Sequence, residues 1–168
     1  MKKYQMRNSE KEIKNTDEIN EIIRTQKYVT LAMCKDGEPY LVTVNHAYDE
    51  NENCIYFHCA RVGKKIDFLK ANPIVWGQVL EDSGYIQGKC SHVYRTIHFR
   101  GEVRFLEDLE EKRKALGVLI EGLEMDPEPL KKKFINNHNL EKVAMGKVMI
   151  QEIWGKKSTS QSWEDVHY

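Results

Sequence analysis

Apolar and polar residues alternate along much of this chain, and this period of two predicts a fold built mainly of β-strands. The six strands predicted in this way cover residues 28–34, 40–48, 54–59, 74–80, 93–105 and 141–154. Most connections have hairpin length, with a strong turn signal at Asp36-Gly37 and a longer loop over 81–91. The long fifth strand contains Gly101, where it can bend, which suits closure into a barrel.

Apolar residues at helical spacing predict helices at three places along the chain. One helix covers 15–26 and starts at Asn15, and a short one follows Gly63. The segment over 108–137 is predicted to hold two more, the first of them capped by Asp108. We expect an apolar stripe on that helix to pack against the body, and it consists of Leu109, Leu116, Ile120 and Leu123.

Together these elements predict a single domain over 1–168 that is mainly β with added helices, in the form of an antiparallel barrel. We interpret 1–14 as a polar N-terminal arm, 108–137 as a helical insertion and 155–168 as a C-terminal tail. The apolar strand over 74–80 is expected to be covered on both faces, with Trp76 in the core. No apolar run approaches the length of a transmembrane helix, and the basic N-terminus is not followed by the hydrophobic region of a signal peptide.

The charge balance and the cysteine content limit which partners and which cell compartment are expected for this protein. Lys plus Arg and Asp plus Glu both number 26, so the net charge is zero. A chain without a basic excess is not expected to bind nucleic acid in general or a membrane surface. Four cysteines are present without a C-x-x-C pair, namely Cys34, Cys54, Cys59 and Cys90. We therefore expect reduced thiols and a cytoplasmic protein.

The turn at Gly63 leads into a helix whose first two residues are Lys64 and Lys65. A helix N-terminus already carries partial positive charge, so cations there are unfavourable. The conflict disappears if an anion binds at this turn, held by free backbone N–H groups and the two ammonium groups. The alternative is a solvated lysine pair on a surface helix.

Several motifs in a fixed order resemble a known family. These are the segments 40–48 and 55–60, then Gly63-Lys64-Lys65, Asn72-Pro73, Tyr94-Arg95-Thr96-Ile97 and Gly101. They are similar to the flavin-binding split-barrel family of the pyridoxamine 5'-phosphate oxidase type, and within it to the Nim group of nitroimidazole-resistance-like proteins. The resemblance implies a six-stranded antiparallel split β-barrel of the FMN-binding type, which forms a homodimer with FMN in clefts at the interface.

The resemblance also implies roles for individual residues. Lys64 and Lys65 would hold the FMN phosphate, and backbone groups of 43–45 would meet the isoalloxazine edge. His58 is the candidate catalytic residue, as a proton donor or substrate contact, and its alternative is a strand-end histidine bonded to a backbone carbonyl. The implied cofactor contacts are Thr43, Val44, Asn45, His58, Cys59, Ala60, Gly63, Lys64, Lys65, Gln78, Tyr94, Arg95 and Trp154.

The last three of these would approach from the partner subunit, and Trp154 has two alternatives, the core or the dimer interface. Arg95 is the one charge on the apolar side of the long fifth strand. Metal binding is not expected, because the spacing of His46, His92 and His98 with the cysteines fits no zinc pattern. The last strand contains no arginine of the kind that the biosynthetic oxidase uses for its substrate phosphate. Oxidation of vitamin B6 is therefore not expected.

The resulting hypothesis is an oxidoreductase that uses FMN, with FAD as the alternative flavin, to reduce a small organic substrate such as a nitro compound. Flavin performs the electron transfer itself, so the protein needs no catalytic triad. Two other hypotheses stay open. One is a flavin carrier or sensor without turnover, and the other is a split-barrel module that binds haem or another ligand.

Overall fold

The computed structural model describes residues 6–158, and the outer parts of the predicted arm and tail lie outside the described residues. These described residues form eight strands: β1 (Glu12–Ile13), β2 (Tyr28–Lys35), β3 (Glu38–Asn45), β4 (Ala47–Asp49), β5 (Cys54–Cys59), β6 (Ile74–Ile86), β7 (Ser91–Leu106) and β8 (Ala144–Lys157). The same part of the chain forms five α-helices: α1 (Thr16–Thr25), α2 (Lys64–Ala71), α3 (Leu109–Leu123), α4 (Glu128–Phe134) and α5 (Asn137–Lys142).

All strands join one antiparallel sheet in the order β3-β2-β6-β7-β8-β5-β4, with β1 added along β8. β3 and β4 follow each other in the chain yet occupy opposite ends of that order. The sheet therefore curls round until β3 approaches β5, which makes an incompletely closed barrel. This confirms the predicted mainly β antiparallel split barrel with added helices.

The strand count is eight where the sequence predicted six, for two reasons. The predicted arm contributes the short strand β1, which pairs with the end of β8. The predicted strand over 40–48 breaks at His46, whose ring is buried and bonded through Nε2 to the carbonyl oxygen of Ile23, 2.9 Å away. That contact ties the break to the end of α1 and separates β3 from β4.

Two predicted boundaries differ from the structure. The loop predicted over 81–91 is mostly a hairpin, because β6 continues to Ile86 and β7 starts at Ser91, with an irregularity near Gly84. β8 starts at Ala144, since residues 141–142 finish α5, and it continues to Lys157 within the predicted tail. Pairing with β7 and β1 on its two sides extends the strand there.

The barrel interior is filled by inward-facing apolar side chains. Two aromatic rings lie directly against glycine backbone: a Cβ at Gly77 would fall 1.9 Å from the Phe99 ring, and one at Gly146 would fall 2.2 Å from the Phe57 ring. The largest fully buried apolar side chains of this core include Phe57, Phe99, Ile22, Ile23, Leu31, Ile55 and Ile97. α1 contributes its predicted face of Ile19, Ile22 and Ile23.

A second, smaller core lies between β5 and α3. The stripe predicted on α3 does pack on the body: Ile120 is buried, and Leu116 and Leu123 are half-buried against this core. The buried face consists of Lys112, Ala115, Leu119 and Ile120. α3 is thus rotated relative to the predicted stripe, and a lysine faces inward.

Trp76 is not in the core, contrary to the prediction. It is 49% exposed on the outer face of the sheet, where it stacks on Trp154 with ring centroids 5.3 Å apart. Val75, Gly77 and Val79 point inward, so the strand is apolar on both faces without being covered on both. None of the helices within residues 6–158 is both long enough and apolar enough to cross a bilayer.

Candidate functional site

The open seam of the barrel, between β3 and the end of β5, contains a cavity of about 220 Å³. We call it the seam cavity. Its lining residues come from two stretches of the chain and are Tyr40, Val42, Cys59, Ala60, Val62, Gly63, Lys64, Lys65 and Ile66. The structure therefore brings together five of the predicted cofactor contacts, namely Cys59, Ala60, Gly63, Lys64 and Lys65.

The start of α2 forms one side of the seam cavity. Gly63 precedes the helix with φ at +131°, a conformation that L side chains rarely adopt. Gly63 supplies no side-chain cap, and the first helical bond runs from the N–H of Asp67 to the Gly63 carbonyl. The N–H groups of Lys64, Lys65 and Ile66 therefore have no acceptor within the helix. Three free donors and a positive dipole end favour an anion here.

Lys64 and Lys65 differ in the contacts that their ammonium groups make. The Nζ of Lys64 lies 2.8 Å from a carboxylate oxygen of Glu38, and 4.9 Å from the ring centroid of Tyr40. The hydrogen bond from Lys64 lowers the pKa of Glu38. Lys65 has no hydrogen bond or ion pair with any residue that the structure describes. One cation is thus held by an exposed carboxylate and the other has no counter-charge.

The opposite wall is apolar and belongs to an edge strand. Tyr40 and Val42 face the cavity from β3, which pairs only with β2 within residues 6–158. Backbone groups on its other edge are therefore not used in the sheet. Cys59 also lines the cavity, and burial raises the pKa of its thiol. The thiol is accordingly neutral near pH 7.

A second group of predicted contacts lies on the outer face of the sheet. In register across five strands, Thr43 pairs with Thr30, Thr30 with Gln78, Gln78 with His98, and His98 with Trp154. Thr43 and Thr30 share a hydroxyl hydrogen bond of 3.0 Å. This row ends at the stacked Trp154, and none of its members lines the seam cavity.

The other contacts predicted on β3 are also engaged elsewhere. Val44 packs against the barrel core, and the side-chain amide of Asn45 donates to the Lys27 carbonyl at 3.3 Å.

Arg95 is bound by carboxylates of its own chain. Its guanidinium donates two hydrogen bonds to Glu81, of 2.8 and 2.7 Å, and lies 3.3 Å from Glu21. The bond with Glu81 is the main reason that its pKa is raised. This explains the single charge on the inward side of β7. Neither Arg95 nor Tyr94, which lies opposite Asp82, lines the seam cavity.

His58 lies on the other face of β5 from Cys59. Phe57 and Cys59 point toward the barrel core, whereas His58 is exposed and does not line the seam cavity. Its catalytic role stays a prediction. Within residues 6–158, no three His, Cys, Asp or Glu side chains converge on a common point that could hold a metal ion.

Sequence reasoning missed Tyr40, Val42, Val62 and Ile66 as cavity residues, and Glu38 as the partner of Lys64. The signal for the first two was available in the alternation of β3. Tyr40 and Val42 share a face with Val44, so the inward residues of this strand were identifiable once its edge position was known.

Comparison with known proteins identifies the family to which this chain is similar. The family model described as pyridoxamine 5'-phosphate oxidase matches residues 15–157. The structure of a candidate 5-nitroimidazole antibiotic resistance protein from Bacteroides thetaiotaomicron is 26% identical, with a TM-score of 0.73 over 87% of this chain and 86% of that one.

Two more distant structures share the fold. An FAD-binding protein from Mesorhizobium loti is 22% identical, with a TM-score of 0.64 over 86% of this chain and 96% of that one. A flavocytochrome from Azotobacter vinelandii is 14% identical, with a TM-score of 0.76 over 94% of this chain and 73% of that one. No curated protein matches significantly. From the match over residues 15–157 and the split barrel that carries it, the chain belongs to the pyridoxamine 5'-phosphate oxidase family.

Proposed function

We propose that this protein is a homodimeric flavoprotein that binds FMN at the seam cavity and reduces a small organic substrate, with nitro compounds as the substrate class. The start of α2 carries this proposal. Gly63, Lys64 and Lys65 present free N–H groups and two ammonium groups to a cavity with an apolar opposite wall. That combination suits a ligand with a phosphate at one end and a flat apolar ring system at the other.

The residues present fit the phosphate of a flavin mononucleotide. Lys65 is without a partner in the described chain, and Lys64 can exchange the exposed Glu38 for a stronger anion. Tyr40, Val42 and the unpaired edge of β3 are placed to meet the ring system. FAD is the alternative flavin. Membership of the family supports a flavin ligand, as do its FAD-binding and flavocytochrome relatives.

A second copy of the chain would complete the site. A cavity of about 220 Å³ is smaller than the pockets of roughly 300–1,000 Å³ that bury most of a ligand of this size. The outer face of the barrel exposes large apolar side chains, which are Tyr28, Leu41, Trp76 and Leu80. Apolar groups exposed together on one face are typical of an interface. The row from Thr43 to Trp154 lies on that face, where it would meet the partner and its flavin.

The flavin, when bound, supplies the transfer of hydride or electrons. The chain holds the phosphate with Lys64, Lys65 and the N–H groups of the α2 start, and it lines the ring site with Tyr40 and Val42. Cys59 keeps its proton at neutral pH, so no thiolate faces the site. The related 5-nitroimidazole resistance structure supports a nitro compound as substrate. Free thiols at all four cysteines support a cytoplasmic location.

Purification and titration test the proposal. We expect the protein to be yellow or to take up added FMN, and to release flavin on denaturation. NADH or NADPH should then bleach the bound flavin without oxygen, and a nitroimidazole should restore its colour. A colourless protein that binds no added FMN or FAD would contradict the proposal. Bound flavin that no nicotinamide donor and nitro acceptor can cycle would favour a carrier or sensor instead.

A further inference from the structure

A second cavity, of about 100 Å³, adjoins the seam cavity at Ile66. We call it the Lys112 cavity. Ile66 is the one residue that lines both cavities. The lining residues come from the turn after β5, from α2, α3 and the two segments that flank the helical insertion. They are Arg61, Ile66, Lys70, Phe105, Leu106, Glu107, Lys112, Val143 and Ala144.

Lys112 is the unusual member, because it is only 6% exposed. Its Nζ donates one hydrogen bond, to the Leu140 carbonyl at 3.3 Å, and forms no ion pair with any carboxylate of residues 6–158. An ammonium has three donors, and a buried charge without a counter-charge is costly. The Leu140 carbonyl lies in α5 and offers a partial charge only.

Lys147 provides the contrast within the same chain. It is almost as buried, at 7% exposure, yet it contacts the carboxylate of Glu52. Where a buried lysine serves the fold, the chain supplies a carboxylate. No described carboxylate pairs with Lys112.

The other charges of the Lys112 cavity are also mostly positive. Arg61 donates to the Glu141 carbonyl at 2.8 Å, and Lys70 has no partner among the described residues. The three cations Arg61, Lys70 and Lys112 stand against one carboxylate, Glu107, which leaves a net lining charge of +2. A phosphate group carries about −1.5 to −2 at pH 7 and fits a cavity of this size.

We propose that the Lys112 cavity binds the phosphate group of a ligand. Lys112 is the buried donor, and Arg61 and Lys70 contact the same group from the rim. Two sources of that group share this chemistry. One is free inorganic phosphate, and the other is the second phosphate of a dinucleotide flavin that runs past Ile66 from the seam cavity. The first source does not depend on the proposed function, and the second does.

Phosphate titration tests the proposal in a Lys64→Ala/Lys65→Ala background, which removes the phosphate site at the α2 start. Calorimetry should detect one bound phosphate per chain. Adding Lys70→Ala should weaken that binding about tenfold, since a charge-assisted contact is lost. Lys132→Ala is the matched control, because it removes an exposed lysine of α4 that does not line the cavity. It should leave the binding unchanged.

Lys112→Met supplies a second test with a readout that a structural role alone would not move. Methionine keeps the buried stem and removes the charge. We expect loss of phosphate binding together with unchanged or higher thermal stability of the phosphate-free protein. If this variant does not fold, the Lys70→Ala titration still tests whether the Lys112 cavity binds phosphate. No phosphate binding in the double background, or binding reduced equally by Lys132→Ala, would overturn the proposal.

The source of the phosphate follows from flavin titrations in the otherwise unsubstituted chain. If Lys70→Ala weakens FAD binding about tenfold and leaves FMN binding unchanged, the second phosphate of FAD occupies the Lys112 cavity. If neither flavin is affected while inorganic phosphate binding is lost, the cavity is a separate anion site. If the proposed function is wrong, neither FMN nor FAD will bind to the unsubstituted chain or to the Lys70→Ala variant. The inorganic phosphate titration would still give its own result.

Discussion

Two helices of this chain start in opposite ways. At α3, the carboxylate of Asp108 accepts the N–H groups of Glu110 and Glu111, each at 2.9 Å, and the first turn is acidic. At α2, Gly63 offers no side chain and the first turn begins with two lysines. The α3 start satisfies its own donors and dipole, whereas the α2 start leaves both for an external anion.

The lysines near the two helices differ in the same way. Lys114 of α3 lies 3.0 Å from Asp49 and also contacts Glu52, which Lys147 contacts from β8. Hydrogen bonds from Lys114 and Lys147 lower the pKa of Glu52 to about 2. Lys65 of α2 has no such partner in the described chain. Lysines that stabilise the fold are thus paired with carboxylates inside it, whereas Lys65 has no carboxylate partner among the described residues.

The largest expected effect is on FMN binding by the Lys64→Ala/Lys65→Ala double variant. Each charge-assisted phosphate contact contributes roughly 1.5–3 kcal/mol, so the Kd should rise roughly 10²- to 10⁴-fold. Flavin fluorescence titration measures the change. Thermal stability without ligand should stay within the error of the unsubstituted chain. An unchanged Kd would remove the functional difference between the two helix starts.

Glu52→Gln tests the lysines that are paired within the fold, because it removes the carboxylate that Lys114 and Lys147 share. The change leaves the nearly buried Lys147 beside a neutral group, and because Glu52 is about one-third exposed we expect the free energy of unfolding to fall by about 1 kcal/mol. Urea unfolding gives this value, and FMN affinity should not change. A variant that lost FMN affinity but kept its stability would show that this lysine cluster belongs to the ligand site.

Lowering the pH should also weaken the cluster of Glu52, Lys114 and Lys147. Because the pKa of Glu52 is lowered from 4.5 to about 2, its ionised form adds stability that is fully present above pH 4.5. That stability is lost as the pH falls from 4.5 toward 2. The side chain is about one-third exposed, so solvent screening limits the loss to about 1 kcal/mol. Unfolding curves across this range should show the slope, and Glu52→Gln should reduce it.

Asp108→Ala removes the cap of α3 and should destabilise the protein by about 1 kcal/mol, because two N–H groups lose their acceptor. Asp108→Asn is the matched control, since asparagine is also a good cap and should restore most of the stability. Thermal unfolding of both variants measures the difference. FMN affinity should be the same in both, and a loss in the alanine variant alone would connect α3 to the seam cavity.

The smallest expected effect concerns Glu38, the exposed partner of Lys64. Glu38→Gln frees Lys64 for the ligand and removes a nearby negative charge. Because exposed ion pairs are weak, we expect FMN to bind only about two- to threefold more tightly. Riboflavin affinity should not change. Weaker FMN binding would mean that Glu38 positions Lys64 for the phosphate instead of competing with it.

The sequence was sufficient to predict the α2 start and the class of fold. Gly63, Lys64 and Lys65 are adjacent in the chain, so a local argument about helix termini applies to them without knowledge of the fold. The alternation of long strands likewise predicted the antiparallel barrel. Both features depend on neighbours in sequence.

Features that depend on distant contacts were not predictable in this way. The face on which His58 lies follows from the register of β5, and a shift of one residue reverses every side chain of a strand. Trp76 lies in a run that is apolar on both faces, which carries no signal for inside or outside. Lys112 is buried, and its Nζ donates to the carbonyl of Leu140, which lies 28 residues away in the chain.

The most direct test of the α2 start as a phosphate site compares FMN with riboflavin on the unsubstituted protein. The two ligands share the ring system and differ by the phosphate. We predict that FMN binds at least about 100-fold more tightly at low salt, with the difference reduced as salt is added. Equal affinities for FMN and riboflavin would contradict the assignment of Gly63, Lys64 and Lys65 to the phosphate.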